Sequence, residues 1–200
     1  MSDLGINYSE LLDDDRLELD DGRVFNQEIQ MARRSNDFYP TPSWATERLL
    51  GLFPLTGTVG EPCSGAGDVA NVLRRHNKVW TNDIDLDHVA DSHYDLTDPE
   101  IWGKLPDCDW IVTNPPFKIA AAIVPAAYEK ARLGLAMFLR LSYLEPCQNR
   151  AQWLEDHPLT KLIVLPRFSF TGNGKSDSCT TAWMVWDKRD DAQTEIIVAT

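Results

Sequence analysis

The segment Asp-Trp-Ile-Val-Thr-Asn-Pro-Pro-Phe, residues 109–117, closes a short apolar run with an amide, two prolines and a ring. Consecutive prolines remove two backbone donors and fix φ, so they end a strand or helix. Asn114, ahead of them, is pushed to an extended conformation. The corner therefore holds an amide oxygen beside an aromatic face. That pair suits an exocyclic amine on an aromatic ring, which is a poor nucleophile because its lone pair is delocalised into the ring. Two oxygens accepting its hydrogens, from the Asn114 side chain and the Pro115 carbonyl, favour a pyramidal nitrogen with an available lone pair. Phe117 offers a face on which a planar base can stack, a contact worth about 1–3 kcal/mol. Asn114, Pro115, Pro116 and Phe117 are accordingly the candidate catalytic residues.

Two further segments carry chemistry. Glu61-Pro-Cys-Ser-Gly-Ala-Gly67 falls between a predicted strand and a predicted helix. Gly65 and Gly67 lack a Cβ, so the backbone there can approach a bound group closely. The turn is not a phosphate-cradling Gly-x-x-x-x-Gly-Lys-Ser loop, and it lacks the third glycine of the dinucleotide fingerprint. Glu61, just before it, can accept from a ligand amine or from loop amides. In Val79-Trp-Thr-Asn-Asp-Ile-Asp85 a carboxylate at the end of the second strand can accept both hydroxyls of a ribose, with Asp83 as the candidate and Asp85 two residues on. His88 and His93 have no metal-ligand spacing and are expected on the surface. Arg140 is an unusual charge in an apolar strand, suited either to a carboxylate partner or to a phosphate.

The elements that position these residues alternate. Thr41 suits an N-cap and Pro42 the first position of a helix over 43–52. Strands are predicted at 58–61, 79–82, 110–113, 135–141, 162–165, 180–186 and 195–198. Helices are predicted at 68–75, 119–131 and 148–155. Such alternation implies an α/β fold with a mostly parallel sheet covered by helices on both faces. Ligands in such sheets bind off the carboxyl ends of the strands.

The chain has 200 residues with 43% hydrophobic and 25% charged residues, an ordinary soluble composition. No apolar run is long enough to span a bilayer. Met1–Asp21 is acidic rather than a basic-then-apolar signal, so a cytoplasmic location is expected. Four separated cysteines fit no zinc spacing and are expected as free thiols, and no metal is expected. The net charge is −12, of which residues 1–21 hold −7 (eight acids against Arg16) and the remaining 179 residues −5. A strongly basic nucleic-acid binder is excluded, whereas a local basic surface is not. Residues 1–36 are expected to form an acidic extension and a short helix, and residues 37–200 a catalytic domain without a separate target-recognition domain.

Together these residues resemble the class I S-adenosylmethionine-dependent methyltransferases, and within them the DNA N6-adenine type. Pro166–Lys175 and Trp183–Asp187 look like the compact phage and prophage members. The resemblance covers about residues 37–188. It implies a Rossmann-like fold with a seven-stranded, mostly parallel sheet, S-adenosylmethionine as cofactor, and methyl transfer to the N6 amine of adenine in DNA that is flipped or single-stranded. The implied cofactor-binding residues are Phe38, Tyr39, Thr41, Glu61, Pro62, Cys63, Gly65, Gly67, Asp83, Ile84, Asp95, Leu96 and Asn114. Asp95 would meet the cofactor's adenine amine. Phe117, Phe170 (or Phe168) and Lys175 would hold the acceptor. Alternatives are a protein glutamine or RNA adenine acceptor, or a regulatory protein whose acidic N-terminus imitates DNA or docks on a basic partner.

Overall fold

A computed structural model of the chain describes residues 39–147, 150–168, 179–190 and 193–199. The expected acidic extension, Phe38, Phe170 and Lys175 lie outside these residues. The strands are β1 (Thr58–Glu61), β2 (Lys78–Thr81), β3 (Trp110–Thr113), β4 (Gly134–Arg140), β5 (Lys161–Val164), β6 (Thr181–Asp187) and β7 (Glu195–Val198). The helices are α1 (Ser43–Leu52), α2 (Asp68–Leu73), α3 (Ala120–Lys130) and α4 (Ala151–Asp156). One seven-stranded sheet has the order β2-β1-β3-β4-β6-β5-β7. β6 runs antiparallel to both β4 and β5, and the other pairings are parallel. Beyond β2 the sheet continues only as a single bridge between Asn82 and Ser92.

The central strands are buried on both faces, which is why they read as continuous apolar runs. Side chains still alternate. On one face Ile111, Leu135, Met137, Leu139 and Met184 pack against Ile123, Val124 and Ala127 of α3. On the other, Trp110, Val112, Ala136, Phe138 and Trp183 pack against Ala45 and Leu49 of α1 and Val69 and Leu73 of α2. Two indoles fasten this arrangement through their ring N–H groups. Trp183 donates to the Ala45 carbonyl at 2.8 Å and Trp186 to the His157 carbonyl at 2.9 Å. No helix among the described residues is long and apolar enough to cross a membrane.

The expected capping of α1 is corrected. Pro42, with φ −59° and ψ 139°, is itself the N-cap, and no side chain caps the helix. Thr41 stands one residue outside the cap position, and its hydroxyl accepts from Asn114 instead. The other boundaries lie within three residues of those expected.

Connections set the ligand site. From β1 the sheet grows outward to β2 in one direction and to β3 in the other. The carboxyl ends of β1 and β3 thus flank a topological switch point, where the loops part and leave a crevice.

Gly134, at the start of β4, tests the packing. A Cβ there would lie 2.0 Å from the Trp186 carbonyl oxygen and 2.8 Å from the Trp110 ring. Backbone in a paired strand cannot give way as a flexible side chain can. Gly134→Ala should therefore destabilise the chain by about 3 kcal/mol, the upper part of the overpacking range, or roughly 6–12 °C in Tm for a domain of this size. Thermal unfolding followed by circular dichroism checks this, and an unchanged Tm would contradict the tight β4–β6 contact.

Candidate functional site

A cavity of about 420 Å³ opens at this switch point. Glu61, Pro62, Cys63 and Gly65 line it from the end of β1 and the following turn. Asp83 and Ile84 line it from beyond β2, Asp95 and Leu96 from the next loop, and Tyr39, Thr41, Asn114 and Pro116 from the third side. Gly67, Pro115 and Phe117 are not part of its lining.

The turn after β1 is shaped by left-handed glycines at 65 (φ 51°) and 67 (φ 84°). Its conformation is fixed from β2. The Gly65 N–H donates to Asp83 Oδ2 at 2.6 Å, and the Ser64 N–H to the Asn82 carbonyl at 2.9 Å. Asp83 Oδ1 accepts from the Asp85 N–H at 2.9 Å and faces His88 Nδ1 at 3.2 Å. Most of the capacity of the Asp83 carboxylate is thus spent inside the protein. Asp95 is more open. Its Oδ1 accepts from the Thr97 N–H and hydroxyl at 2.9 and 2.7 Å, and among the described residues none donates to its other oxygen.

Lining residues not singled out from the sequence as site residues include Asn82, His88 and Tyr94. Asn82 is fully buried, and its amide joins three segments. Nδ2 donates to the Pro62 and Tyr94 carbonyls, and Oδ1 accepts from the Ser92 hydroxyl and the Tyr94 N–H. An amide directly after an apolar strand, where water cannot serve it, was the available signal. The surface placement expected for the histidines holds for His93, which is exposed, and is corrected for His88. His88 lines the cavity against Asp83, and His93 Nδ1 lies 3.0 Å from the Asp83 carbonyl. The acidic stretch folds back on β2 because its backbone and side chains supply Asp83's partners.

Glu61 is 1% exposed, and its Oε2 has no partner. Burial raises its pKa well above the usual carboxylate value, and the Ala70 N–H and the Arg74 charge only partly oppose this. Burial likewise pushes the Cys63 thiol up, so it stays protonated. The lining carries the acids Glu61, Asp68, Asp83, Asp85 and Asp95 but no lysine or arginine. The cavity suits a cation and disfavours phosphates. Among the described residues no group of three His, Cys, Asp or Glu side chains converges as a metal site would.

Asn114 follows β3 directly. Its Nδ2 donates to the Tyr39 carbonyl at 2.9 Å and to the Thr41 hydroxyl at 3.0 Å. A carbonyl can only accept, so this pairing fixes which end of the amide is which. Among the described residues none donates to Oδ1. Phe117 stacks on Tyr39, with centroids 5.6 Å apart and planes at 23°, and the Arg140 guanidinium carbon lies 4.5 Å from the Phe117 centroid. Arg140 therefore has a ring, not a carboxylate, as its neighbour. Phe168, the alternative acceptor ring, packs edge-on against Trp44 at 5.3 Å and beside Phe138 at 6.2 Å, within the core face of α1.

No family model and no curated protein matches the chain. Solved structures do. The methyltransferase subunit of a type I restriction-modification system from Streptococcus thermophilus aligns with TM-score 0.59 and 15% identity, over 79% of this chain and 46% of that one. A Listeria monocytogenes protein assigned to the class I S-adenosylmethionine-dependent methyltransferases aligns with TM-score 0.58 and 9% identity, over 86% and 70%. A Pyrococcus horikoshii protein assigned as an RNA methyltransferase aligns with TM-score 0.56 and 13% identity, over 75% and 87%. The chain thus spans less than half of the restriction-modification subunit. At these identities the likeness concerns the backbone, and with the sheet order and helical layers it establishes the fold. The chain has the Rossmann-like class I methyltransferase fold, with its cavity at the switch point of the sheet.

Proposed function

We propose that the protein transfers a methyl group from S-adenosylmethionine to the N6 amine of adenine in DNA. The observation that carries this reading is the Asn114 amide. Both of its donors are committed to Tyr39 and Thr41, so its bare oxygen is held at the corner between the cavity and the Phe117 ring. That oxygen and the Pro115 carbonyl accept the two hydrogens of the acceptor amine and leave its lone pair free. Phe117 supports the base.

The residues of the cavity fit the cofactor. Its methionine end carries an ammonium group, which suits the unpartnered Glu61 oxygen, and its sulfonium charge suits acidic walls. Asp83 or Asp85 would take the ribose hydroxyls and Asp95 the adenine amine, with Ile84 and Leu96 against the adenine ring. The cofactor supplies an electrophilic methyl carbon. Transfer would form a bond from the acceptor nitrogen to that carbon as the carbon–sulfur bond broke, and the nitrogen would release a proton to water. The chain contributes position and hydrogen bonds, which is where most of the rate gain in such a transfer lies. Phe170 and Lys175 remain proposed acceptor contacts. The DNA reading draws on the restriction-modification subunit among the structural neighbours, and the RNA methyltransferase beside it keeps RNA in the test. Transfer of tritiated methyl to DNA, RNA and protein acceptors in parallel decides the substrate. Label on protein alone would refute the nucleic-acid reading.

Asn114→Ala should abolish transfer while leaving cofactor affinity nearly intact, because its oxygen faces the acceptor. Phe117→Ala should weaken acceptor binding as well as turnover. Calorimetry with S-adenosylmethionine separates these effects from a structural role, since equal loss of cofactor binding in both variants would make the corner merely a brace.

Asp83→Ala should weaken cofactor binding by about 1–3 kcal/mol, the scale of a lost bond to a charged group. It should also lower Tm, because the Gly65 N–H loses its acceptor. If Asp85→Ala weakens binding more and leaves Tm alone, Asp85 is the ribose acid.

Glu61 makes a pH-dependent prediction. Its folded pKa is raised, so the folded chain keeps a proton that the unfolded chain releases from about pH 4.3 upward. The stability it contributes is full below that pH and is lost as pH rises toward the folded pKa. Without cofactor, Glu61→Gln should therefore gain Tm relative to the native chain as pH rises from acid to neutral. The same substitution should weaken cofactor binding. Parallel Tm profiles for the two proteins would contradict the buried carboxyl.

A further inference from the structure

We propose that Arg140 binds the phosphate backbone flanking the acceptor base, and that its place over Phe117 is a resting position which the base takes over. The inference rests on the nucleic-acid reading above and deepens it. Arg140 is the last residue of β4, after six fully buried positions. β3 and β4 are parallel, with Thr113 opposite Met137, so β4 carries Arg140 past the end of β3 on the side where Asn114–Phe117 turns away. There the guanidinium lies over the Phe117 ring, and its Nε is buried without a hydrogen-bond partner. No carboxylate among the described residues pairs with it.

These observations do not fit a structural cation. A guanidinium has five donors arranged to match an oxyanion, and a ring face satisfies none of them by hydrogen bonding. A buried donor left unmade is costly, so such a group is held for a ligand that completes it. The ligand must also lie against Phe117, outside the acidic cavity. A base stacking on Phe117 must share or displace the guanidinium, and the nearest anion it brings is its own flanking phosphate. A neutral glutamine side chain brings none. Lys118, exposed and next to Phe117 in the chain, adds a second positive charge nearby. Arg140, Lys118 and Phe117 are absent from the lining of the acidic cavity, which Asn114 shares.

The test uses the full chain, a labelled single-stranded oligodeoxynucleotide with one adenine, and the same strand with neutral methylphosphonates on both sides of that adenine. Fluorescence anisotropy is measured over a salt series. Arg140→Gln should weaken binding of the phosphate strand at least tenfold at low salt. It should also reduce the slope of log affinity against log salt by about 0.7, the loss of one single-strand phosphate contact. S-adenosylmethionine affinity and Tm should stay at their native values, and Arg140→Lys should restore most of the slope. The native chain should lose a similar factor on the methylphosphonate strand, a measurement that does not depend on how any variant folds. Equal affinity of the native chain for both strands, or an unchanged slope in a folded Arg140→Gln, overturns the inference while leaving adenine methylation standing. A native chain that labels no nucleic acid overturns both.

Discussion

The walls of the cavity depend on one buried amide. Asn82 has no exposed surface, yet its side chain makes four hydrogen bonds and its backbone two more, to the Glu61 carbonyl and the Ser64 N–H. β1 and β2 are only four residues long, and the segments beyond them have little regular structure to hold them. Their backbone groups are satisfied at Asn82 instead. A network of this kind is strong when complete, because the low local polarity that strengthens each bond also makes a missing one expensive. The glycine turn, the end of β2 and the segment around Tyr94 consequently move as one body or not at all. Asp83 extends the network to Gly65, and Asp91 does the same for Thr81 at 2.8 Å.

Charge is divided by this framework. The sheet places acids at the ends of β1 and β2 and a guanidinium at the end of β4. Between them stands the Asn114-Pro-Pro-Phe117 corner, whose prolines keep the backbone from relaxing in either direction. A net charge of −12 is therefore no guide to what the acceptor face attracts. Local fields fade over about 8 Å at physiological salt, so the few residues around Phe117 set the local preference.

Much of the fold was legible because the pattern was redundant. The β3 and β4 runs have turn residues at both ends, and the carboxyl ends of β1 and β3 carry Glu61 and Asn114, the two residues whose chemistry stood out. What escaped the sequence was long-range. The partner of Thr41 lies 73 residues away at Asn114, and nothing local distinguishes that hydroxyl from a helix cap. Asn82 read as strand because its surroundings are apolar, and its role depends on residues ten and twelve positions on. His88 looked solvated because a loop rich in aspartate usually is. Here the loop turns inward to satisfy Asp83.

The two bonds from Asn114 to Tyr39 and Thr41 have a thermodynamic consequence. Tyr39 and Thr41 also line the cavity, so a molecule bound there and a molecule held by the Asn114 oxygen act on the same short segment. Whatever the first gains by ordering that segment, the second no longer has to supply. Linkage is reciprocal, so the factor by which an occupant of the cavity improves binding at the Asn114 oxygen must equal the factor of the reverse effect. Under the proposed function, loss of the methyl group would change the occupant at that shared strap, and cooperativity between the two sites would then help release product as well as recruit substrate.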